Sequence, residues 1–527
     1  MTRHTLSALA MVVLLVTTAA GAAPAAAQTA DSETLLSGAL SDAAGLTGLS
    51  VGEDVIKYSG NPSVIVTVED SRMSALETWT DGSEERQLVS STLGENRALV
   101  AAPPDEIGAS TLDQLLGNGL AARSYVTGVD LNRQIRTDPV LGLANASSYE
   151  RPPAARIATL RGGELSAAGQ AWSSDANRST LGEARSAIGA DDVAADGAGV
   201  TVAVLDTGAN INETNDPLYG NRSTAPYNAI TNTSGYDAVA TDTYHGPWVT
   251  AAIAANASND SYDGVAPEAT VMPVKVLGDD GGGSVASIIR GVEHADEHGA
   301  DVVSMSLGSA TYSPALASTV EEALAGNVTT VVVAVGNSKQ NPAKRFISSP
   351  ADTDAPGVIA VAATNTSAAD SAAPAYFSEV GPDGGTSDLS RGVTAGEGPD
   401  VAAPGMKVVA PYLERDGDRR NLSLSGTSMA TPLVSGVAAL TLEANNELVN
   451  DSEGTRSALL DSAQPIPAAG VTEVGNGMVD APNATATVDV DASQADQRNA
   501  PARGRDTGNE AYSGSRLVEF LVGREDS

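Results

Sequence analysis

The amino-acid sequence predicts an α/β fold of three layers, with a mainly parallel sheet between two layers of helices. Apolar runs of strand length alternate with longer runs of helical pattern, which is typical of parallel sheets covered on both faces. The strand-like runs hold valine and alanine at consecutive positions, as in strands that are buried on both faces. The predicted strands are 200–206, 271–276, 301–306, 329–335 and 358–363, and the predicted helices are 245–255, 284–298, 314–325 and 428–446.

The first residues have the pattern of a secretory signal peptide. A short positive start at 1–4 precedes an apolar stretch over 6–20, which is short for a membrane span, and small residues then lead to 25–28, which fits a signal-peptidase site. We therefore expect residues 1–27 to be removed and the protein to be extracellular. An uncleaved N-terminal anchor is the alternative.

Residues 28–180 predict a small α+β unit. Strand patterns occur over 62–68 and 98–101, and a helical pattern occurs over 111–122. Polar, loop-like sequence follows over 145–180, and such sequence is typical of a boundary between units.

The heptapeptide 426–432, Gly-Thr-Ser-Met-Ala-Thr-Pro, places Ser428 among small residues just before an apolar helical run. A serine at the start of a helix lies beside free backbone N–H groups and the positive end of the helix dipole. This position suits a nucleophile whose reaction develops an oxyanion. No Gly-x-Ser-x-Gly elbow surrounds Ser428, which argues against an esterase.

Two further segments supply a base and a carboxylate that orients it. The predicted strand 200–206 ends in Asp206, and sites of open α/β sheets form at the carboxyl ends of strands. His245 opens the alanine-rich helix 245–255. In this set His245 removes the proton of Ser428 and later protonates the leaving amine, while Asp206 holds the imidazole tautomer.

A third strand supplies an electrostatic group. The predicted strand 329–335 leads directly into Gly336 and Asn337. The side-chain amide of Asn337 can donate to the oxyanion together with the backbone N–H of Ser428.

These segments resemble the subtilisin-family serine endopeptidases (subtilases), which have the same order of Asp, His and Ser along the chain. The resemblance covers roughly residues 185–485, and the heptapeptide at Ser428 is its most specific part. It implies a subtilisin-like fold, a triad of Asp206, His245 and Ser428, and an oxyanion hole that uses Asn337. Other segments in family order are 264–267, 272–277, 304–308 and 401–405.

The resemblance also implies a substrate cleft. Ser306, Leu307 and Gly308 match the segment that pairs with the bound peptide as an added strand, and Gly336 matches the other wall of the S1 pocket. The substrates implied are polypeptides. We expect broad specificity, with apolar or bulky residues preferred at P1.

Many secreted subtilases carry a pro-segment that assists folding and blocks the site until it is cleaved. By its position, 28–180 is assigned as such a pro-segment, followed by the catalytic domain over 181–488 and an acidic C-terminal extension over 489–527. We expect the processing cut within 145–180 or slightly later. An independent N-terminal domain is the alternative for 28–180.

The sequence departs from the family pattern beside the base. The family usually has His-Gly-Thr-His-Val, whereas this chain has Pro247 and Trp248 after His245 and Gly246. Because Pro247 lacks an N–H and Trp248 is much larger than histidine, the shape and rate of the site near the base are open. The alternative to an active endopeptidase is a catalytically weak subtilase-fold protein that acts in binding or as a scaffold.

The composition favours a secreted, salt-adapted, halolysin-like protein. The 30 Lys and Arg residues against 66 Asp and Glu give a formal net charge of −36, and the resulting self-repulsion weakens at high salt. An acidic secreted protein that uses its charge for solubility is the alternative. This charge argues against a nucleic-acid partner, and the absence of cysteine excludes disulfides and a cysteine nucleophile. We expect a monomer with no membrane contact after signal cleavage.

The resemblance implies a structural calcium ion in the loop after the His245 helix, although no cofactor is needed for the chemistry. The candidate oxygen ligands are Asp216, Asn259, Asp260 and Asp263, and such ligands suit Ca²⁺. A solvated acidic loop is the alternative.

His294 and His298 have a spacing that can hold a metal ion. There is no HExxH motif, and acidic residues surround both histidines, so we expect a solvated polar helix face.

Overall fold

The computed structural model describes three stretches of the chain and divides them into two units. The described residues are 55–107 without 92 and 95, 120–137, and 179–486 without 213–215, 258–260, 310, 342–344, 367–368 and 382–397. The strands are β1 (Lys57–Tyr58), β2 (Asn61–Val68), β3 (Gln87–Ser90), β4 (Arg97–Ala101), β5 (Val126–Leu131), β6 (Gln134–Arg136), β7 (Ser179–Thr180), β8 (Thr201–Asp206), β9 (Tyr227–Asn228), β10 (Thr233–Ser234), β11 (Thr270–Lys275), β12 (Gly282–Ser284), β13 (Val302–Met305), β14 (Thr330–Ala334), β15 (Val358–Thr364), β16 (Val401–Pro404), β17 (Val408–Leu413) and β18 (Arg419–Leu424). The α-helices are α1 (Met73–Asp81), α2 (Pro104–Ile107), α3 (Leu181–Ala187), α4 (Tyr236–Val239), α5 (His245–Ala254), α6 (Val285–Glu297), α7 (Pro314–Ala325), α8 (Thr427–Ala444), α9 (Ser452–Asp461), α10 (Val471–Val474) and α11 (Ala481–Thr485).

An eight-stranded sheet forms the centre of the larger unit, in the order β10-β9-β11-β8-β13-β14-β15-β16. The described pairs from β9 to β16 are parallel, and the edge strand β10 is antiparallel to β9. The valine-rich strand β14 is buried along its whole length, because helices pack against the sheet and leave no strand face in water. The predicted α/β fold with a mainly parallel sheet is confirmed.

The ends of the surface helices follow from their capping residues. The hydroxyl of Ser284 accepts the N–H of Ser287 at 3.0 Å, and the hydroxyl of Ser313 accepts the N–H of Leu316 at 3.3 Å. These bonds satisfy N–H groups that have no partner within the first turn of α6 and α7. The predicted helices agree with the observed ones to within two residues at each end.

A second sheet of five strands forms the N-terminal unit. Strand β2 pairs antiparallel with β1, β4 and β5, and β3 pairs with β4. Helix α1 buries Leu76 and Trp79 in one core of this unit, whereas Ile65 and Leu99 of the sheet belong to the core of the larger unit. The predicted α+β character of this region is confirmed for the described residues.

Polar contacts join the N-terminal unit to the larger one. Arg97 pairs with Glu322 of α7 through its Nη1, at 2.8 Å from Oε2. The hydroxyl of Ser313, at the start of the same helix, donates to Asp130 at 2.5 Å. Strand β6 then pairs with β12 of the larger unit.

Several predicted segments lie outside the described residues. These are the signal peptide 1–27, most of the predicted helix 111–122, most of the boundary region 145–180, and the extension from 489 onwards. The last three residues of that predicted helix form a 3₁₀ turn, Leu120–Ala122. Among the helices that the structure describes, none has both the length and the apolar character needed to cross a membrane.

Candidate active site

The candidate catalytic residues come from strands that are neighbours in the sheet. Strand β8 ends at Asp206, and β13 lies beside β8 and ends one residue before Ser306. Strand β14 lies beside β13 and leads into Gly336 and Asn337. Because these strands are parallel, their carboxyl ends place the predicted groups at one edge of the sheet.

Asp206 and His245 form a buried pair. His245 Nδ1 lies 2.8 Å from Asp206 Oδ1, and the exposed fractions of the two side chains are 5% and 0%. The N–H of Thr207 donates to the same carboxylate oxygen at 2.6 Å. A carboxylate at Nδ1 favours the tautomer that carries its proton there, so Nε2 is the atom that can accept a proton.

Ser428 is the second residue of α8 and is 1% exposed. Its hydroxyl donates to the carbonyl oxygen of Ser306 over a long 3.4 Å, and the hydroxyl of Ser306 donates to the carbonyl of Ser428 at 3.0 Å. His245 Nε2 is buried and has no hydrogen-bond partner among the described residues. The bond from Ser428 to His245 is therefore not formed in this state, and such bonds often tighten only when substrate binds.

Thr427 contacts Asn337 and orients its side-chain amide. The N–H and the hydroxyl of Thr427 donate to Asn337 Oδ1 at 2.8 and 3.2 Å, which directs the amide nitrogen away from them. A Cβ built on Gly426 would lie 3.4 Å from Asn337 Nδ2 and 3.6 Å from the backbone nitrogen of Ser428. Both predicted oxyanion donors thus border one small space, and glycine at 426 keeps that space open.

The N-terminal unit shows how an extended chain can lie in the cleft. Strand β6 pairs antiparallel with β12 on one side. On the other side Arg136 and Gly308 exchange backbone hydrogen bonds of 3.2 and 3.4 Å. Thr137 then donates its N–H to Gly281 at 3.0 Å. This strand lies between two edges in the manner predicted for a peptide beside Ser306, Leu307 and Gly308.

A model of the subtilase family matches residues 197–498. The chain belongs to the subtilase family. Subtilisin DY of Bacillus licheniformis is 35% identical over 246 residues, which are 47% of this chain and 77% of that protein. Subtilisin BL of Lederbergia lenta is 34% identical over 294 residues, which are 55% of this chain and 91% of that protein. By these relationships the chain is a subtilisin-like serine protease.

A solved structure supports the fold of this subtilase. Fervidolysin from Fervidobacterium pennivorans, a keratinolytic enzyme related to subtilisin, matches with a TM-score of 0.59 at 20% sequence identity. The match covers 82% of this chain and 62% of that chain. At this identity the likeness concerns the fold alone.

The departure from the subtilase pattern beside the base is accommodated by local packing. Helix α5 begins at His245 and includes Pro247 as its third residue, where an N–H has no intrahelical acceptor to lose. Trp248 is fully buried, and its indole Nε1 donates to the carbonyl of Leu422 at 2.9 Å. His245 keeps its bond to Asp206 beside both residues.

Both described carboxylates among the predicted calcium ligands accept backbone N–H groups. Asp216 accepts N–H groups of Asn212, Leu218 and Tyr219 at 2.8 to 3.0 Å, and Asp263 accepts the N–H of Ala257 at 2.6 Å. Within the described ranges, neither aspartate belongs to a group of three side chains that could share an ion. The prediction depends on Asn259 and Asp260, which lie outside the described residues.

The prediction of a solvated face for His294 and His298 is wrong for His294. This side chain is buried, bonds the carbonyl of Ala225 through Nε2 at 2.9 Å, and stacks on Tyr227 with ring centroids 4.2 Å apart. Burial lowers the pKa of His294, which favours the neutral ring in this position. In α6, residue 294 shares a helix face with buried Gly291 and Ser287, which lie three and seven positions before it.

Sequence reasoning missed two features of the cleft. Gly282–Ser284, directly before α6, forms strand β12, which pairs with β6. Its glycines were the available signal, because a Cβ on Gly283 would lie 2.5 Å from the carbonyl oxygen of Val276. The second feature is Glu379, a buried carboxylate that touches Gly336.

Proposed function

We propose that this subtilase is a secreted endopeptidase, made as a zymogen, that cleaves peptide bonds through an acyl-enzyme on Ser428. The observation that supports it most is the buried 2.8 Å pair of Asp206 and His245 at the sheet edge where Ser428 and Asn337 also lie. An oriented base beside a helix-start serine is the arrangement that nucleophilic acyl transfer needs.

The position and chemistry of its reactive atoms give each of these residues a role in the proposed reaction. Ser428 Oγ attacks the scissile carbonyl while His245 Nε2 takes its proton, and Asp206 stabilises the imidazolium that forms. Asn337 Nδ2 and the N–H of Ser428 stabilise the oxyanion of the tetrahedral intermediate. His245 then protonates the leaving amine, and water activated by the same base hydrolyses the ester.

The zymogen part of the proposal is supported by strand β6. This strand fills the groove between β12 and Gly308, where a peptide substrate would add as a strand. While 28–180 remains attached and docked, substrates are excluded, so cleavage within 145–180 or slightly later has to precede activity. Secretion rests on the signal-peptide pattern of residues 1–27.

The test is casein hydrolysis at high salt by purified full-length wild type and Ser428→Ala, with N-terminal sequencing of the products. We expect wild type to digest casein and to trim its own N-terminal region, and Ser428→Ala to do neither. If both proteins are folded and inert, the binding or scaffold alternative replaces the endopeptidase.

We also propose a structural calcium ion at the loop after the His245 helix, with Asp216, Asn259, Asp260 and Asp263 as candidate ligands. Asparagine and aspartate oxygens are hard ligands that suit Ca²⁺. A chelator should then lower the melting temperature of mature protein, and added Ca²⁺ but not added Mg²⁺ should restore it. A melting temperature that the chelator leaves unchanged contradicts the proposal.

A further inference from the structure

Thr207, the residue directly after Asp206, connects the candidate acid to the candidate base. Its N–H donates to Asp206 Oδ1 at 2.6 Å, and its hydroxyl accepts the N–H of Gly246, the second residue of α5, at 3.0 Å. His245 Nδ1 lies 2.8 Å from the same carboxylate oxygen, whereas the other oxygen, Oδ2, is buried and has no hydrogen-bond partner among the described residues. Within those residues, the orientation of the carboxylate therefore depends on His245 and Thr207.

The turn formed by Thr207 and Gly208 packs directly against the start of α5. A Cβ built on Gly246 would lie 2.1 Å from the carbonyl oxygen of Gly208 and 2.9 Å from Thr207 Oγ1. Gly208 itself has a φ of +102°, which favours glycine. Because the turn and the helix start have no space between them, a shift of the turn displaces both His245 and the N–H group that holds Asp206.

Lys275, the last residue of β11, fixes this turn. Its Nζ donates to the carbonyl of Thr207 at 2.6 Å and to Asp279 Oδ1 at 2.7 Å. The side chain is 10% exposed, and its Cδ would lie 3.4 Å from a Cβ built on Gly208. Strand β11 is parallel to β8, and Lys275 is the register partner of Asp206. The cation therefore comes from the neighbouring strand, at the sheet edge where the candidate catalytic residues lie.

Asp279 links Lys275 to two further parts of the cleft. Its Oδ1 also accepts the hydroxyl of Thr241 at 2.8 Å, in the segment that leads into α5. Asp279 lies in the turn before β12, and in this turn the carbonyl of Gly281 accepts the N–H of Thr137 at 3.0 Å. The ion pair thus connects the approach to the base with the cleft edge that binds an extended chain.

Stability alone does not explain a cation at position 275. Burial raises the pKa of Asp279, but hydrogen bonds from Lys275 and Thr241 outweigh this effect, so that its pKa is lowered. Asp279 is therefore ionised wherever a histidine base is neutral. Burying a lysine is costly, and an apolar side chain of similar size in place of a buried ion pair is often neutral or stabilising. A donor to the carbonyl of Thr207, by contrast, has to be a polar group.

We propose that Lys275 is a positioning residue for the proposed reaction, with Asp279 as its partner. Lys275 acts through Thr207, which orients the Asp206 carboxylate and the first turn of the His245 helix. Asp279 joins the substrate-binding edge to the same network, so that this edge and the base keep one relative position. The inference rests on the proposed peptidase activity and deepens it by assigning a role to two residues outside the triad.

The first experiment measures kcat and KM of processed protein with one tetrapeptide p-nitroanilide at a fixed high salt concentration. Lys275→Met keeps the length of the side chain and removes its charge. Its kcat should fall about 10- to 100-fold while KM changes by less than about threefold, because a misplaced base lowers the rate and not the binding of substrate. Asp279→Asn keeps the shape of the side chain and should lower kcat by about 3- to 10-fold.

Arg456→Met is the matched control. Arg456 pairs with Asp400, which directly precedes β16 and so lies at the amino ends of the parallel strands, opposite the candidate site. This variant also loses the cation of an ion pair, but its kcat should stay within about twofold of wild type. The melting temperature is measured for every variant.

The second experiment observes the Asp206–His245 bond without catalysis. In full-length Ser428→Ala, the proton in the short hydrogen bond between the imidazole and the carboxylate is followed by its downfield NMR resonance. Adding Lys275→Met should shift or broaden this resonance, and adding Arg456→Met should leave it unchanged. A role that is only structural would lower the melting temperature and leave this bond in place, so the resonance separates the two roles.

Several outcomes would overturn the proposal. These are an unchanged kcat in folded Lys275→Met, a loss that appears in KM alone, a loss equal to that of Arg456→Met, and an unmoved resonance. If Lys275→Met does not fold or does not process itself, Asp279→Asn decides, and a kcat within about twofold of wild type then overturns the proposal. A folded wild type that hydrolyses neither the peptide nor casein rejects the proposed function itself, and the resonance then shows separately whether Lys275 positions Asp206 and His245.

Discussion

Trp248 lies in the first turn of the helix that carries the candidate base, and its contacts explain why a large residue fits there. The indole is fully buried and donates to the carbonyl of Leu422, within strand β18. The side chain therefore ties the His245 helix to β18, and the site keeps the Asp206–His245 bond. Trp248 replaces the histidine that is usual at this position, and the larger side chain is accommodated because its indole N–H has a hydrogen-bond partner.

Replacing Trp248 by Phe should lower stability more than activity. The variant removes the only donor of the indole and part of its buried volume, so the free energy of unfolding should fall by about 1–3 kcal/mol. Denaturant titration at high salt measures it, and casein hydrolysis by the folded variant should stay within a few-fold of wild type. Unchanged stability would show that the bond to Leu422 contributes nothing.

Replacing Asn337 by Ala should reduce kcat by about 10²–10³ with little change in KM, a magnitude that is taken over from subtilisin, where it is known for the loss of one oxyanion donor. The reason is that Asn337 Nδ2 borders the space shared with the N–H of Ser428. Thr427→Val is the informative companion, because it keeps the N–H bond to Asn337 and removes the hydroxyl, which donates to Asn337 and accepts the N–H of Gly336, and its loss should be smaller. A loss that appears in KM alone would contradict the assignment.

At the scale of elements, the contact between α6 and the N-terminal unit buries an acidic side chain. Glu293 lies against the loop before β4, where a Cβ on Gly94 would be 2.8 Å from its Oε1. Burial raises the pKa of Glu293 to about 7. Four other charged groups act on it: Arg97 and Arg290 lower its pKa, and Glu297 and Glu322 raise it.

This contact should make the stability of the full chain depend on pH. A carboxyl whose pKa is raised by folding contributes stability that is fully present below its unfolded value of 4.5 and is lost as pH rises through about 7. The melting temperature of Ser428→Ala, which cannot process itself, should therefore fall more between pH 5 and 8 than that of Ser428→Ala/Glu293→Gln. Parallel curves for the two proteins would contradict this role of Glu293.

At the scale of the whole molecule, a net charge of −36 has to be compatible with a core of closely packed apolar strands. The described ion pairs of this acidic chain involve few cations, and pairs such as Arg415 with Asp242 are exposed on both sides. Such pairs contribute little. We therefore expect dissolved salt, more than these ion pairs, to weaken the repulsion between surface carboxylates.

Raising NaCl from 0.1 M to several molar should raise the melting temperature of mature protein, because the screening length falls from about 10 Å to about 3 Å or less. An equal osmolarity of sucrose is the control, since it stabilises by exclusion and does not screen charge. A melting temperature that is highest at low salt would favour the alternative in which the charge serves only solubility.

The central strands and main helices could be predicted from the sequence because their patterns are local. Strand β14 consists of consecutive β-branched and small residues, and α6 is bounded by a serine cap and by Gly299 at φ +69°. Asp206, His245 and Ser428 could be predicted for a similar reason, because each lies in a short segment of distinctive composition. The role of such residues can be recognised from a few neighbouring positions in the sequence.

The sequence by itself determined the α/β class, the central strands and helices, and the residues that could act as nucleophile, base and oxyanion donor. Only the tertiary structure decided what surrounds them: that β6 lies in the cleft, that His294 is buried, that Trp248 finds Leu422, and that Glu379 reaches Gly336. The physical reason is distance along the chain. Glu379 lies more than forty residues after Gly336, and no local pattern indicates a contact that forms only when separate strands and loops are brought together by the burial of a common core.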